Sequence, residues 1–362
     1  MVKGFWSCLL LCCCLAGSAI ANAASVVFLN PGRSDEPFWV SYAQFMQAAA
    51  ADLDMDLQIL FAERDKERML QQAREVLLGP TRPDYLMFVN EQYAGPEILR
   101  LSRGSGVKLF SVNSTLTPDQ QALVGGTREQ YPDWIGSMVP NDEEAGYLMA
   151  RSLLAQQQHL NAGRPFELVA FSGDKQTPAA KRREKGLHRA LAAYPQARLR
   201  QLVYAEWNRQ RAHAQAQQLF VRYPKVEVVW SANDEMAFGA MAAATALGRK
   251  PGQDLHFSAL NNSPEVLRAY LDGQVSALVS GHFTLGGWAL VLLHDYDAGL
   301  DFAKHGGKDR EVRLFMALDK KKAVRLLTHV ELRGYKINFK SYSLLHAPKQ
   351  RDYKFSLQPL LD

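Results

Sequence analysis

The sequence predicts an α/β protein made of two doubly wound parallel-sheet lobes, and three observations predict it. The 362 residues exceed one ordinary domain and suit about two, each with its own core. Short runs that are apolar throughout alternate with amphipathic stretches, as expected of strands covered on both faces by helices. That alternation resets near residues 131–142 and then runs a second time, with no Pro/Gly/Ser-rich linker between. Composition agrees: 47% apolar, 22% charged and 10% aromatic residues describe a folded globular chain, not a disordered or fibrous one. The net charge of +5 is too small for this length to argue for nucleic acid.

Residues 25–29, 57–61, 85–89 and 107–112 form the first strand set. Between its first two strands, Phe38, Tyr42, Phe45, Met46, Ala49 and Leu53 recur at intervals of three and four and make one helical stripe. Met69, Leu70, Ala73, Val76 and Leu77 repeat the pattern before the third strand. The second set comprises residues 167–171, 199–204, 226–230 and 255–260, with helices starting near Asp142, Pro178, Arg209 and Asp234. Residues 277–279 suggest a further strand and 283–300 a further helix, whereas the chain after Lys320 is more polar and less periodic.

The first 23 residues read as a secretory signal. Lys3 precedes an apolar run over 5–16 that is too short to cross a bilayer, and Ala21-Asn22-Ala23 offers small residues where a signal peptidase cuts. The mature chain is expected to begin at Ala24, exported and soluble in a periplasm. Lipidation at Cys12 is the alternative, but Leu9-Leu10-Leu11 lacks the small residue usual before such a cysteine. All four cysteines (Cys8, Cys12, Cys13, Cys14) lie in this segment, so the mature chain has no disulfide, thiolate metal site or cysteine nucleophile.

Signatures of catalysis are missing. Gly104-Ser105-Gly106 lacks the third glycine of a phosphate loop and reads as a turn. There is no G-x-S-x-G elbow, and the nine histidines show no metal-ligand spacing. Asn141-Asp142-Glu143-Glu144 reads as acidic residues stabilised by a helix N-terminus, and Lys320-Lys321-Lys322 as solvated surface. No cofactor, metal or catalytic residue is expected.

Five landmarks then fall in order: Asn30-Pro31 at the end of the first strand, Pro37-Phe38-Trp39 opening the first helix, Ala179-Ala180-Lys181-Arg182-Arg183-Glu184-Lys185-Gly186, Asn233-Asp234-Glu235-Met236-Ala237-Phe238-Gly239-Ala240, and Asp272-Gly273-Gln274. Together they resemble the type I periplasmic solute-binding proteins, the ribose and galactose binders, over about residues 25–315. The resemblance implies two lobes joined by a three-segment hinge, with crossings near 132–140, 280–283 and 315–318. The lobes are then expected at 24–136 plus 282–315 and at 137–281 plus 316–362. It implies a monomer that clamps a small polar ligand, such as a carbohydrate, and presents it to a membrane ABC permease; the alternative partner is a membrane sensor kinase or chemoreceptor.

Ligands of open α/β sheets sit beyond the carboxyl ends of the strands. That rule and the resemblance select the same candidates: Phe38, Trp39, Asn90, Asn113, Lys181, Arg183, Trp207, Asn233, Asp234, Asn261 and His282. Aromatic rings suit the apolar faces of a sugar, and Asn, Asp and Arg its hydroxyl edge. Each has a plainer reading: the aromatics as core, Asn233 as a helix N-cap, the charged pair as a solvated face. One of Lys181 and Arg183 should enter the cleft. The pattern also departs from the sugar binders. Asn113-Ser114 stands where they often have Asp-Arg, and Asn261 where they tend to have Asp. The former is similar to the periplasmic autoinducer-2 receptor, a family relative that binds a furanosyl borate diester, but Gly281-His282 replaces part of that receptor's arginine cluster. Two other classes fit less well. A sugar-responsive repressor needs a helix-turn-helix where the signal stands, and an exported hydrolase needs a nucleophile or metal set.

Overall fold

A computed structural model describes residues 23–332, 335–347 and 349–362; the expected signal segment, save Ala23, lies outside them. The first half runs β1 (Ser25–Asn30), α1 (Pro37–Asp52), β2 (Asp56–Phe61), α2 (Lys66–Leu78), β3 (Tyr85–Phe88), α3 (Gly95–Leu101), β4 (Lys108–Val112), α4 (Pro118–Val124) and β5 (Trp134–Pro140). The second runs α5 (Asp142–Leu160), β6 (Phe166–Ser172), α6 (Pro178–Leu191), β7 (Ala197–Tyr204), α7 (Arg209–Arg222), β8 (Val226–Ser231), α8 (Asp234–Ala246), β9 (His256–Leu260), α9 (Pro264–Leu271) and β10 (Ala277–Ser280). The chain ends with α10 (Leu285–Asp297), β11 (Asp309–Val312), β12 (Met316–Ala317) and α11 (Lys320–Glu331), followed by a tail with short 3-10 turns.

Two six-stranded sheets result, ordered β11-β5-β4-β3-β1-β2 and β12-β10-β9-β8-β6-β7. All ladders are parallel except β10 with β12. The strand order therefore reverses at β1/β3 in one lobe and at β6/β8 in the other, the switch points where an open α/β sheet leaves a crevice. Strands β3 and β9 are buried along their whole length, which explains why they read as unbroken apolar runs.

The first crossing falls later than the hinge pattern implies. Residues 134–140 form β5, hydrogen-bonded to β4 and β11 in the first sheet. The chain changes lobe only at Asn141, whose side chain caps α5 by accepting from Glu144 N at 2.9 Å. Buried Trp134 and Met138 make β5 worth keeping in the first core. The second crossing is Gly281 and the third lies between β11 and β12. These two touch: a Cβ on Gly281, where φ is 138°, would stand 1.9 Å from the Leu314 carbonyl oxygen.

The tail departs from the expected assignment of 316–362 to the second lobe. Helix α11 does pack on α9, but Phe339, Tyr342 and Phe355 then surround Trp288 of α10 with ring centroids 4.8–5.4 Å apart. Asp295, fully buried on α10, accepts from Ser343 Oγ, Leu344 N and Tyr353 Oη of the tail. An apolar helix face backed by a buried carboxylate is thus covered by residues whose aromatic spacing follows no helix or strand period.

Helices α5 and α6 meet through reciprocal glycines. A Cβ on Gly146 would lie 2.0 Å from Arg183 O, and one on Gly186 2.0 Å from Glu143 O. Alanine improves helix propensity by about 1 kcal/mol, but here it must push two backbones apart. Gly186→Ala is expected to lower unfolding stability by roughly 1–3 kcal/mol, read from urea denaturation; an unchanged midpoint would mean that α6 can slide freely.

Candidate ligand-binding cleft

The strand ends of the two lobes face one another across a cavity of about 380 Å³, including its opening. The first lobe contributes Glu36, Phe38 and Trp39 at the start of α1, Arg64 after β2, Glu91 after β3 and Asn113 after β4. From the second come Thr177, Ala179 and Arg183 of α6 and its lead-in, Trp207 after β7, Asn233 after β8 and Asn261 after β9; His282 stands on the second crossing.

The lobes build their aromatic walls in the same way. Trp39 lies against Gly32, just past β1, and Trp207 against Gly173, just past β6; a Cβ on either glycine would stand 2.0 Å from an indole carbon. Both indoles are buried, and both Nε1 atoms lack a hydrogen-bond partner. Phe38 stacks on His282 at 4.4 Å with an 18° interplanar angle.

Two arginines, Arg64 half-buried and Arg183 buried, organise the charge. Arg64 donates from Nε to Glu36 at 2.9 Å and from Nη1 to Glu91 at 2.8 Å. Burial alone would lower its pKa, but the two carboxylates hold it above the ordinary value. Burial raises that of Glu91, against the pull of Arg64. Glu91 also accepts from Thr177 Oγ1 at 3.0 Å, a hydrogen bond between the lobes. In the second lobe, Arg183 donates to Asp142 at 2.8 Å and to the Ala232 carbonyl at 2.9 Å. Its Nη2 is 3.4 Å from His282 Nε2.

That last contact assigns the tautomer of His282. A guanidinium can only donate, so Nε2 accepts and the ring proton resides on Nδ1. Nδ1 is buried without a partner. Burial first, and then Arg183, hold the His282 pKa well below its usual value, so the ring is neutral.

Of the sequence candidates, Phe38, Trp39, Asn113, Arg183, Trp207, Asn233, Asn261 and His282 line the cavity. Asn90 does not. Its amide closes a loop, donating to Thr115 O at 3.0 Å and Gln120 at 2.7 Å and accepting from Gly95 N, which uses both of its amide protons within the first lobe. Lys181 lies outside as well, with Nζ 2.7 Å from Tyr93 Oη in an exposed position. Helical period separates it from Arg183, which shares the buried face of α6 with Ala180, Gly186, Leu187 and Ala190. Asp234 sits behind the lining, accepting from Asn261 Nδ2 at 2.6 Å and Ser263 Oγ at 2.8 Å. Burial, then the charge of Glu235, push its pKa up to about 7 against these hydrogen bonds. Asn233 caps α8 through Oδ1, which accepts from Met236 N at 2.9 Å, and keeps Nδ2 for the cavity.

Sequence reading missed Glu36, Arg64, Glu91, Thr177 and Ala179. The strand-end rule that selected Asn90 could have extended to Glu91. Arg64 depends on Glu63 and itself both having positive φ, 56° and 62°, a turn that neither residue type announces. Among the described residues, no three His, Cys, Asp or Glu side chains gather as metal ligands, and no helix is long and apolar enough to cross a membrane.

Two parallel-sheet lobes, with a cleft lined from the strand ends of both and from the crossings, define a class, and the family comparison agrees. The family model for the periplasmic binding protein domain matches residues 26–299. The chain belongs to that family, as a type I periplasmic solute-binding protein. It is similar to a solved periplasmic sugar-binding protein from Pseudomonas fluorescens, at 58% identity and a TM-score of 0.86, over 94% of this chain and 100% of that one. The ribose import binding protein of Salmonella typhimurium is 24% identical over 265 residues, 73% of this chain and 81% of that protein. The D-allose-binding periplasmic protein of Escherichia coli is 24% identical over 295 residues, covering 78% and 86%.

The neutral His282 carries a pH signature. Its folded pKa is depressed, so the stability it contributes is complete above the unfolded value of about 6.5 and is lost progressively as pH falls below it. His282→Gln should therefore flatten the acid limb of the stability profile between about pH 5 and 7, measured by urea unfolding across that range. Parallel profiles for the two proteins would mean that the ring takes up a proton in place.

Proposed function

We propose that this chain is a periplasmic sugar-binding protein that closes its lobes on one small neutral sugar and delivers it to an ABC permease, with no chemistry of its own. One observation carries the reading. Trp39 Nε1, Trp207 Nε1, His282 Nδ1 and Asn113 Oδ1 are buried at a common cavity, and none has a protein partner. Leaving such groups unpaired costs about 1–3 kcal/mol each, so the site is completed by a ligand that both donates and accepts. Hydroxyl groups do both. The two indoles and Phe38 suit the apolar faces of a sugar ring. Each lining arginine is already neutralised, Arg64 by Glu36 and Glu91 and Arg183 by Asp142, so nothing in the lining calls for phosphate or carboxylate.

The names of the relatives supply the first probes, D-ribose and D-allose. Binding is expected as a rise in melting temperature with sugar concentration, and by titration calorimetry. Trp207→Ala and Asn233→Ala should each weaken it at least about tenfold, equivalent to 1.4 kcal/mol, while unfolding stays cooperative. Loss of the fold without a specific binding loss would make these residues core rather than cleft.

Export follows from residues 1–23. Intact mass of the protein recovered from a Gram-negative periplasm should correspond to a chain starting at Ala24. A mass that retains Cys12 with an added lipid would replace a free periplasmic protein by a membrane-tethered one.

A further inference from the structure

The tail crosses the hinge. Helix α11 is packed on the second lobe, yet Tyr335, three residues beyond Leu332 that closes it, lies in the first-lobe core, with its ring 5.0 Å from Phe45 of α1. The segment stays on that lobe through the Asp295 and Trp288 contacts, then returns to α11, where the Leu361 carbonyl accepts from Arg325. Two further passages between the lobes are thereby added to the three hinge crossings.

At the first of these passages lies a buried relay. Asn262 Nδ2 donates to Ser41 Oγ at 2.6 Å, and Ser41 Oγ is 3.1 Å from Tyr335 Oη. Asn262 belongs to the second lobe and follows Asn261, which lines the cavity; Ser41 lies on α1, one turn after Phe38, which also lines it. All three residues of the relay are buried. A serine inside a helix readily turns its hydroxyl back to the carbonyl four residues earlier. Tyr335 gives the hydroxyl a partner on the other side, leaving a lone pair directed at Asn262.

We infer that Tyr335 is a positioning residue for lobe closure: the tail holds the Ser41 hydroxyl where Asn262 meets it only when the lobes are together. The inference rests on the sugar-binding reading, because closure is what the sugar stabilises. It makes the tail part of the closing machinery instead of a passive cover.

The test compares wild type with Tyr335→Phe, Ser41→Ala, Asn262→Ala and the Tyr335→Phe/Asn262→Ala pair. Phenylalanine removes one hydroxyl and keeps the ring packing; Ser41→Ala breaks the relay without touching the tail. Dissociation constants and dissociation rates for D-ribose and D-allose come from tryptophan fluorescence, and the radius of gyration with and without sugar from small-angle scattering. Tyr335→Phe and Ser41→Ala should each weaken binding by about 3–10-fold, through faster dissociation, with sugar-free unfolding still cooperative. The pair should lose less than the product of its single losses. Wild-type affinity in both single variants, or losses that multiply, would overturn the inference and leave the sugar reading standing. If wild type binds no sugar, the sugar reading falls. The relay is then judged by the sugar-free scattering: a more expanded Ser41→Ala chain supports it, and equal radii of gyration overturn it.

Discussion

One buried guanidinium connects the three crossings between the lobes. Arg183 pairs with Asp142, the residue immediately after the first crossing, and reaches His282 on the second. Its guanidinium lies 6.0 Å over Phe315, on the third, and 5.5 Å over Trp207 in the cleft wall. Five N–H donors in a rigid plane allow one side chain to address so many elements, which the point charge of a lysine could not. Removing one partner from a buried pair of this kind costs about 3–5 kcal/mol. The position of α6, and hence the reciprocal glycines that let it approach α5, follow from where this group has to lie.

The same pairing shapes what the cleft asks of a ligand. Two arginines line it, but carboxylates within the protein already balance both, so charge serves to hold the walls. The polar groups of the lining left without a charge partner are neutral: two indole N–H groups, one imidazole N–H and amide side chains. His282 shows how closely the two layers are linked. Because Arg183 can only donate, the ring proton resides on Nδ1, and burial first, then the charge of Arg183, keep that imidazole neutral. The Glu36–Arg64–Glu91 cluster plays the corresponding part in the first lobe, and Thr177 adds its hydroxyl from across the cleft.

The lobes are alike in strand order and in the glycine beneath each tryptophan, yet the tail makes them unequal. It covers α10 of the first lobe with aromatic residues and fills the partner sites of Asp295, while both of its ends rest on the second. Three backbone crossings join the lobes. The docked tail adds side-chain contacts around α1 to those three crossings.

Local pattern was sufficient for most of the architecture. Strands buried on both faces are apolar throughout, helices repeat every three or four residues, and a cap such as Asn233 marks where a helix begins; all of this is written within a few neighbouring residues. The strand-end rule then found eight of the lining side chains, since the doubly wound order places them. What tertiary structure decided was every choice between near neighbours. Asn90 turned inward to close its loop while Glu91 reached the cleft; Lys181 faced solvent while Arg183 was buried; β5 stayed with the first sheet instead of forming the hinge. Arg64 and the tail were decided there too, because the partners of a charged or aromatic side chain far along the chain leave no periodic trace. Sequence determined which segments are strand, helix and strand end, since those depend on local burial and backbone geometry; packing between distant segments determined which side chain at each end lines the cavity.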